Sequence, residues 1–167
     1  PGDPDYFGPI ADIEKTFVEI IDALHGSERV ELLVLHEDMR HRAEKLLART
    51  DHVRFHIRDY ADVWFRDFGP IFVTDGSTLA MTDWKYNGYA KFPELLKDDA
   101  IPSWMNQFLK LSKQEPSLVL EGGAIEVNGN GVLITTEECV RNENRNPGIS
   151  KEQAEQYFKD YLGAQKI

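Results

Sequence analysis

Three stretches of the sequence carry residue types and spacings that could do chemistry. The first is Asp62-Val63-Trp64-Phe65-Arg66-Asp67-Phe68-Gly69-Pro70, where two acids, a tryptophan and an arginine interrupt an apolar run. Read as a strand, it alternates faces: Asp62, Trp64 and Arg66 share one side, Phe65 and Asp67 the other. Gly69-Pro70 then bends the chain and leaves Asp67 at a strand end, a common place for reactive groups. A carboxylate there suits a guanidinium, whose fork of N–H donors pairs with both carboxylate oxygens at once. Trp64 could form an aromatic wall for the same planar cation. An internal Arg66–Asp67 or Arg66–Asp62 ion pair beside a core tryptophan accounts for the same residues without any ligand.

The second stretch is Leu120-Glu121-Gly122-Gly123. A carboxylate closing an apolar run ahead of two glycines points to a sharp turn or a close backbone approach. Glu121 could hold a substrate cation or orient a catalytic histidine; the alternative is an exposed glutamate on a turn. The third stretch, Thr135 to Pro147, is dense in asparagine and reads as a loop whose side chains bond their own backbone. It holds the sole cysteine, Cys139. Glu137 and Glu138 beside it oppose a thiolate, so Cys139 reads as a structural thiol rather than a nucleophile. The histidines show no HExxH pattern and no Cys/His zinc spacing, and His25 stands at a helix end, where positive charge meets the dipole well. There is no Walker A, GxGxxG or GxSxG motif.

These stretches need elements to position them. Ile10, Ile13, Phe17, Ile20, Ile21 and Leu24 recur at helical spacing over 9–25, with Gly26 as the stop. Residues 29–35 read as a buried strand, 37–49 as a charged helix and 52–57 as a second strand. Over 62–74 the pattern predicts a strand, a bend and another strand; 78–85 follows as a strand before the Asn87-Gly88 turn. Further on come a helix over 101–112, strands at 117–120 and 124–127, and a hairpin through Asn128-Gly129-Asn130-Gly131. A last helix over 150–162 starts at Ser150 and ends near Gly163. The sum is an α/β chain with short strands grouped between helices.

Composition removes several function classes. With 41% hydrophobic and 29% charged residues the chain is ordinary for a globular domain, and no apolar run approaches a membrane span. Its 29 acidic against 19 basic residues leave a net charge of -10, which argues against nucleic acid; it suits a cationic ligand, though ordinary soluble proteins are often as acidic without one. One cysteine allows no internal disulfide and fits a reducing, cytoplasmic setting. The opening PGDPDYFGPI shows no basic n-region with an apolar run behind it, and it lacks an initiator methionine.

Taken together and in order, the strings DVWFRDFGPIFV, WKYNGYAKFP and LEGGAIEVNGNGVLITTEECVRNENRNP resemble the first half of the agmatine deiminase and bacterial-type peptidylarginine deiminase family. The resemblance runs from about residue 4 to the last residue. It implies a pseudo-fivefold α/β propeller, of which 1–167 would be the N-terminal part of one catalytic domain, about two modules, incomplete at both ends. It also implies hydrolysis of a guanidinium to a ureido group with release of ammonia, most simply agmatine to N-carbamoylputrescine in polyamine biosynthesis. In that chemistry a cysteine thiolate forms a covalent amidino intermediate, a histidine handles protons, and water resolves the intermediate. No cofactor or metal is implied.

Residue by residue, Asp67 matches a guanidinium-gripping acid, Trp64 an aromatic residue of the substrate pocket, and Glu121 the acid that supports the catalytic histidine. The resemblance places the nucleophilic cysteine and that histidine beyond Ile167, and Cys139 matches neither. The expected partners are therefore a small cationic guanidine, with no nucleic acid and no membrane, and the remainder of the protein or another chain to cover apolar surface and open strand edges. Two alternatives stand beside this reading. A peptidylarginine deiminase would act on protein-bound arginine and would be secreted. A non-catalytic propeller fragment would serve binding or assembly.

Overall fold

The computed structural model describes residues 8–167, so the stretch examined for a leader begins outside them. The chain forms two compact units, one running to Tyr60 and one from Ala61 to Ile167. In the first, helix α1 (Ile10–Ala23) precedes strand β1 (Val30–Val34), helix α2 (Glu37–Leu46) and strand β2 (Val53–Ile57). β1 and β2 pair in parallel, Val30 opposite Val53 and Val34 opposite Ile57, so α2 is the crossover that a parallel pair requires. His36 caps α2, its Nδ1 accepting the Met39 N–H at 3.2 Å. Gly26, at φ 86°, takes the left-handed conformation that turns the chain after α1. Of the apolar stripe on α1, Ile21 alone is fully buried; Ile10, Phe17 and Ile20 stay exposed.

The second unit begins with a single helical turn, α3 (Phe65–Phe68), ahead of strands β3 (Ile71–Thr74) and β4 (Leu79–Thr82). These pair antiparallel, and β5 (Ser112–Gln114) adds to β4 in parallel after 3₁₀ turns at Gly88–Ala90 and Pro93–Ala100 and helix α4 (Ile101–Leu109). A 3₁₀ turn at Gly122–Ala124 leads into the hairpin of β6 (Ile125–Val127) and β7 (Leu133–Thr135), then a helical turn α5 (Glu137–Val140) and helix α6 (Lys151–Leu162). The core gathers Trp84, Leu118, Leu120, Ile125, Leu133, Val140, Ala154 and Phe158. Trp84 satisfies its indole N–H on Thr82 Oγ1 at 2.8 Å, which lets the ring be buried. α6 starts in a capping box between Ser150 and Gln153 and ends at Gly163, φ 67°.

The α/β expectation holds, with local corrections. The stretch 62–68 is not a strand: its first backbone donors find carboxylates, and those of Phe65 and Asp67 find the carbonyls of Val63 and Trp64, instead of a neighbouring strand. Asp98, fully buried, accepts the N–H of Ala61 at 2.6 Å and of Asp62 at 3.1 Å, and Asp62 Oδ1 accepts the Val63 N–H at 2.7 Å. Residues 117–120 supply two core leucines but only one bridge, Val119 with Lys85. α4 stops at Leu109 because Lys110 turns left-handed, φ 53°, and sends the chain into β5, which the sequence reading did not foresee.

Candidate active site

α3 is short for local reasons. The carbonyls of Trp64 and Phe65 accept the N–H groups of Asp67 and Gly69 at 2.8 and 2.7 Å, and Pro70, with no N–H to give, ends the turn. The turn aims the Asp67 side chain at the Gly122–Ala124 turn and at Tyr89. Asp67 Oδ1 accepts the Gly123 N–H at 3.0 Å, and Oδ2 accepts the Tyr89 hydroxyl at 2.7 Å. The double glycine makes this approach possible. A Cβ on Gly122 would collide with the Arg66 carbonyl, and one on Gly123 with Asp67 Oδ1.

Tyr89 reaches Asp67 from an unusual backbone. Gly88, Tyr89 and Ala90 all have positive φ, at 66°, 60° and 58°. A left-handed non-glycine residue costs roughly 1–3 kcal/mol and persists only where its surroundings impose it. Here Asn87 Oδ1 accepts the Ala90 N–H at 2.8 Å, Asn87 Nδ2 donates to the Asn144 carbonyl at 3.2 Å, and Asp99 accepts the Tyr86 N–H at 2.6 Å. The Tyr86 and Tyr89 rings meet edge to face at 5.3 Å. Burial pushes the Tyr86 hydroxyl up to about 12, and the acids around it act in the same direction. Burial raises Tyr89 as well, and the proton it gives Asp67 raises it further.

Arg66 sits on the same turn and donates from Nη2 to the Ile125 carbonyl at 3.5 Å. Among the described residues neither the Arg66–Asp67 nor the Arg66–Asp62 ion pair forms. Trp64, 43% exposed, stands immediately before α3. Glu121 is not the exposed turn glutamate considered as an alternative. It is 4% exposed, and its Oε1 accepts from Arg145 Nε at 2.7 Å in an ion pair with few competing waters. Cys139 lies in α5 with its N–H on the Thr136 hydroxyl at 3.4 Å and makes none of the contacts that join Asp67, Tyr89 and Gly123.

The structure thus brings Asp67 and the Gly122-Gly123 turn into one joint, with Trp64 just before α3 and Glu121 just before the glycines, paired with Arg145. It adds two residues that sequence reasoning missed, Tyr89 and Arg145. Arg145 stood inside a loop read as bonding locally. Tyr89 followed the recognised Asn87-Gly88 turn, and that turn was the one available signal.

Chemically, a carboxylate can accept about four hydrogen bonds. Asp67 uses one site on each oxygen, leaving one free lone-pair direction on each. A guanidinium fork would need one such site on each oxygen, on the edge that the two oxygens share.

A relative from Mycoplasma mycoides subsp. mycoides is 37% identical over 161 residues, covering 92% of this chain and 43% of its own. The agmatine deiminase of Medicago truncatula is 38% identical over 135 residues, covering 70% of this chain and 35% of its own. Among solved structures, the Enterococcus faecalis agmatine deiminase matches with TM-score 0.83 at 27% identity, over 93% of this chain and 44% of that one. The C. jejuni agmatine deiminase, solved with substrate bound, matches with TM-score 0.84 at 28% identity, over 99% and 48% respectively. The chain therefore shares the mixed α/β fold of these enzymes and spans less than half the length of the curated relatives it matches. The model of the Porphyromonas-type peptidyl-arginine deiminase family matches residues 1–167, and the chain belongs to that family.

Proposed function

We propose that the protein carrying this chain hydrolyses the guanidinium of a small cation to a ureido group and releases ammonia, with agmatine giving N-carbamoylputrescine. The observation that carries the reading is the Asp67 carboxylate, fixed by Tyr89 and Gly123 with one acceptor site open on each oxygen. A guanidinium would occupy both sites in two parallel bonds, with Trp64 against its face. In this reading a cysteine outside residues 1–167 attacks the guanidinium carbon and forms an amidino intermediate; ammonia leaves, and water frees the ureido product. Glu121 would orient the histidine that moves the protons through Oε2, since Oε1 is held by Arg145. The chain is read as part of a pseudo-fivefold α/β propeller, closed by polypeptide beyond these residues, in a cytoplasmic enzyme of polyamine synthesis. Among the described residues no helix is long and apolar enough to cross a membrane. The net charge of -10 suits a substrate that carries a second, terminal amine.

The family's own description favours a second reading, a deiminase acting on peptidyl-arginine. Ammonia release measured with agmatine and with a blocked arginyl peptide separates the two. Turnover of agmatine alone supports the proposal, turnover of the peptide alone transfers it to the second reading, and turnover of neither by folded protein rejects both.

A further inference from the structure

We propose that His25, Asp51 and His52 form a binding site for a divalent transition-metal ion of the zinc class. All three belong to the first unit, whereas the Asp67 joint belongs to the second: His25 lies just past the end of α1, Asp51 and His52 immediately before β2. The argument begins at His52, whose side chain is 8% exposed. Its Nε2 lies 3.0 Å from the Ile21 carbonyl oxygen, which can only accept, so Nε2 carries the proton. In the neutral ring Nδ1 is then a bare lone pair. That atom is buried and has no hydrogen-bond partner; the nearest carboxylate oxygen, Asp51 Oδ1, is 3.9 Å away. A histidine held through one nitrogen by a backbone carbonyl, with the other nitrogen free, is in the state that metal-ligating histidines adopt.

The other two groups converge on the same point. His25 Nε2 is 3.4 Å from Asp51 Oδ2, and the His25 and His52 rings stand perpendicular at 4.8 Å. One ligand atom from each of the three residues lies within 4.8 Å of the others. Tetrahedral zinc, with bonds of about 2.0–2.1 Å, sets its donors roughly 3.3 Å apart, so small side-chain rotations close the set and leave a fourth position for water. Two imidazoles with one carboxylate favour zinc, cobalt or nickel over calcium or magnesium. An opposing feature is Arg49, whose Nη1 lies 3.3 Å from His25 Nδ1 and 3.4 Å from Nε2. It is exposed and must swing aside when a cation enters. A surface pairing of His25 with Asp51 accounts for those two residues, but it does not account for the buried, unpartnered Nδ1 of His52.

The test is calorimetric titration of the full chain with zinc chloride against a competing chelator, beside magnesium chloride. The expected result is saturable binding of one zinc ion per chain, a raised unfolding midpoint, and no response to magnesium. Asp51→Asn, at an exposed side chain that leaves the fold intact, should weaken zinc by at least the ~10–100-fold that losing even an outer-shell partner costs. His52→Ala should abolish binding, and Arg49→Ala should tighten it by removing the competing cation. Absence of saturable binding overturns the proposal. So does binding of equal strength in Asp51→Asn and the unaltered chain, which would place the ion on other histidines.

Discussion

Replacing Asp67 by asparagine separates its charge from its hydrogen bonds. In Asp67→Asn the amide oxygen can still accept the Gly123 N–H, and the amide nitrogen can donate to the Tyr89 hydroxyl, which accepts as readily as it donates. The folded state should then lose under about 1 kcal/mol. Asp67→Ala removes both acceptors. The Gly123 N–H is exposed and can turn to water, but the partly buried Tyr89 hydroxyl loses its partner, at about 1–3 kcal/mol. For a chain of this size that is a fall of about 2–12 °C in Tm. Binding depends on the charge, which both variants lose. A guanidinium facing asparagine keeps its buried charge without a counter-charge, about 2–5 kcal/mol, or roughly 30- to 4,000-fold in kcat/KM. The assay pairs thermal unfolding of each variant with ammonia release by the complete enzyme. The reasoning predicts near-native stability with lost turnover for Asp67→Asn, and loss of both for Asp67→Ala. If Asp67→Asn turns over agmatine within about threefold of the unaltered enzyme, the carboxylate charge does not grip the guanidinium. If it is as unstable as Asp67→Ala, Asp67 is a structural acid.

Three further outcomes follow from the same joint. Gly122→Ala drives a methyl against the Arg66 carbonyl and should cost about 1–3 kcal/mol or more in urea unfolding, whereas Gly123→Ala pushes the Asp67 carboxylate off its Tyr89 bond and should cost no more than Asp67→Ala, about 1–3 kcal/mol, while reducing turnover. Arg145→Ala leaves the Glu121 charge buried alone and should cost about 3–5 kcal/mol, part of which Glu121→Gln in the same chain restores. In a spectrophotometric titration, Tyr86 should ionise only near pH 12; because its folded value is raised, the stability it contributes is complete below its unfolded value of about 10 and is lost as pH climbs toward 12. A titration in which all six tyrosines ionise together near pH 10 contradicts that environment.

Helices were the most legible elements, since spacing and caps are local: Ser150, Gly163 and Gly26 mark ends that the structure keeps. The Gly122-Gly123 pair signals a sharp turn or a close approach, but only the fold shows that Arg66 and Asp67 are what approach. Val63, Phe65 and Phe68 mimicked a strand because an apolar run does not reveal where its N–H groups go. Those of Ala61 and Asp62 go to Asp98, far downstream in sequence, that of Val63 to Asp62, and that of Phe65 to the Val63 carbonyl. Long-range polar partners were hidden for the same reason. Asn146 was expected to bond locally, yet it is buried and binds both the N–H and the carbonyl of Val119, at 2.9 Å each. Glu121 with Arg145, Asp67 with Tyr89, and His25 with Asp51 are pairings between separated segments, and a single sequence holds no spacing rule for them.

A crystal structure of the complete protein with agmatine bound tests the central claim most directly. The account predicts both Asp67 oxygens paired with guanidinium nitrogens at about 2.7–2.9 Å while the Tyr89 and Gly123 bonds persist. An ordered agmatine whose guanidinium lies away from Asp67 contradicts it.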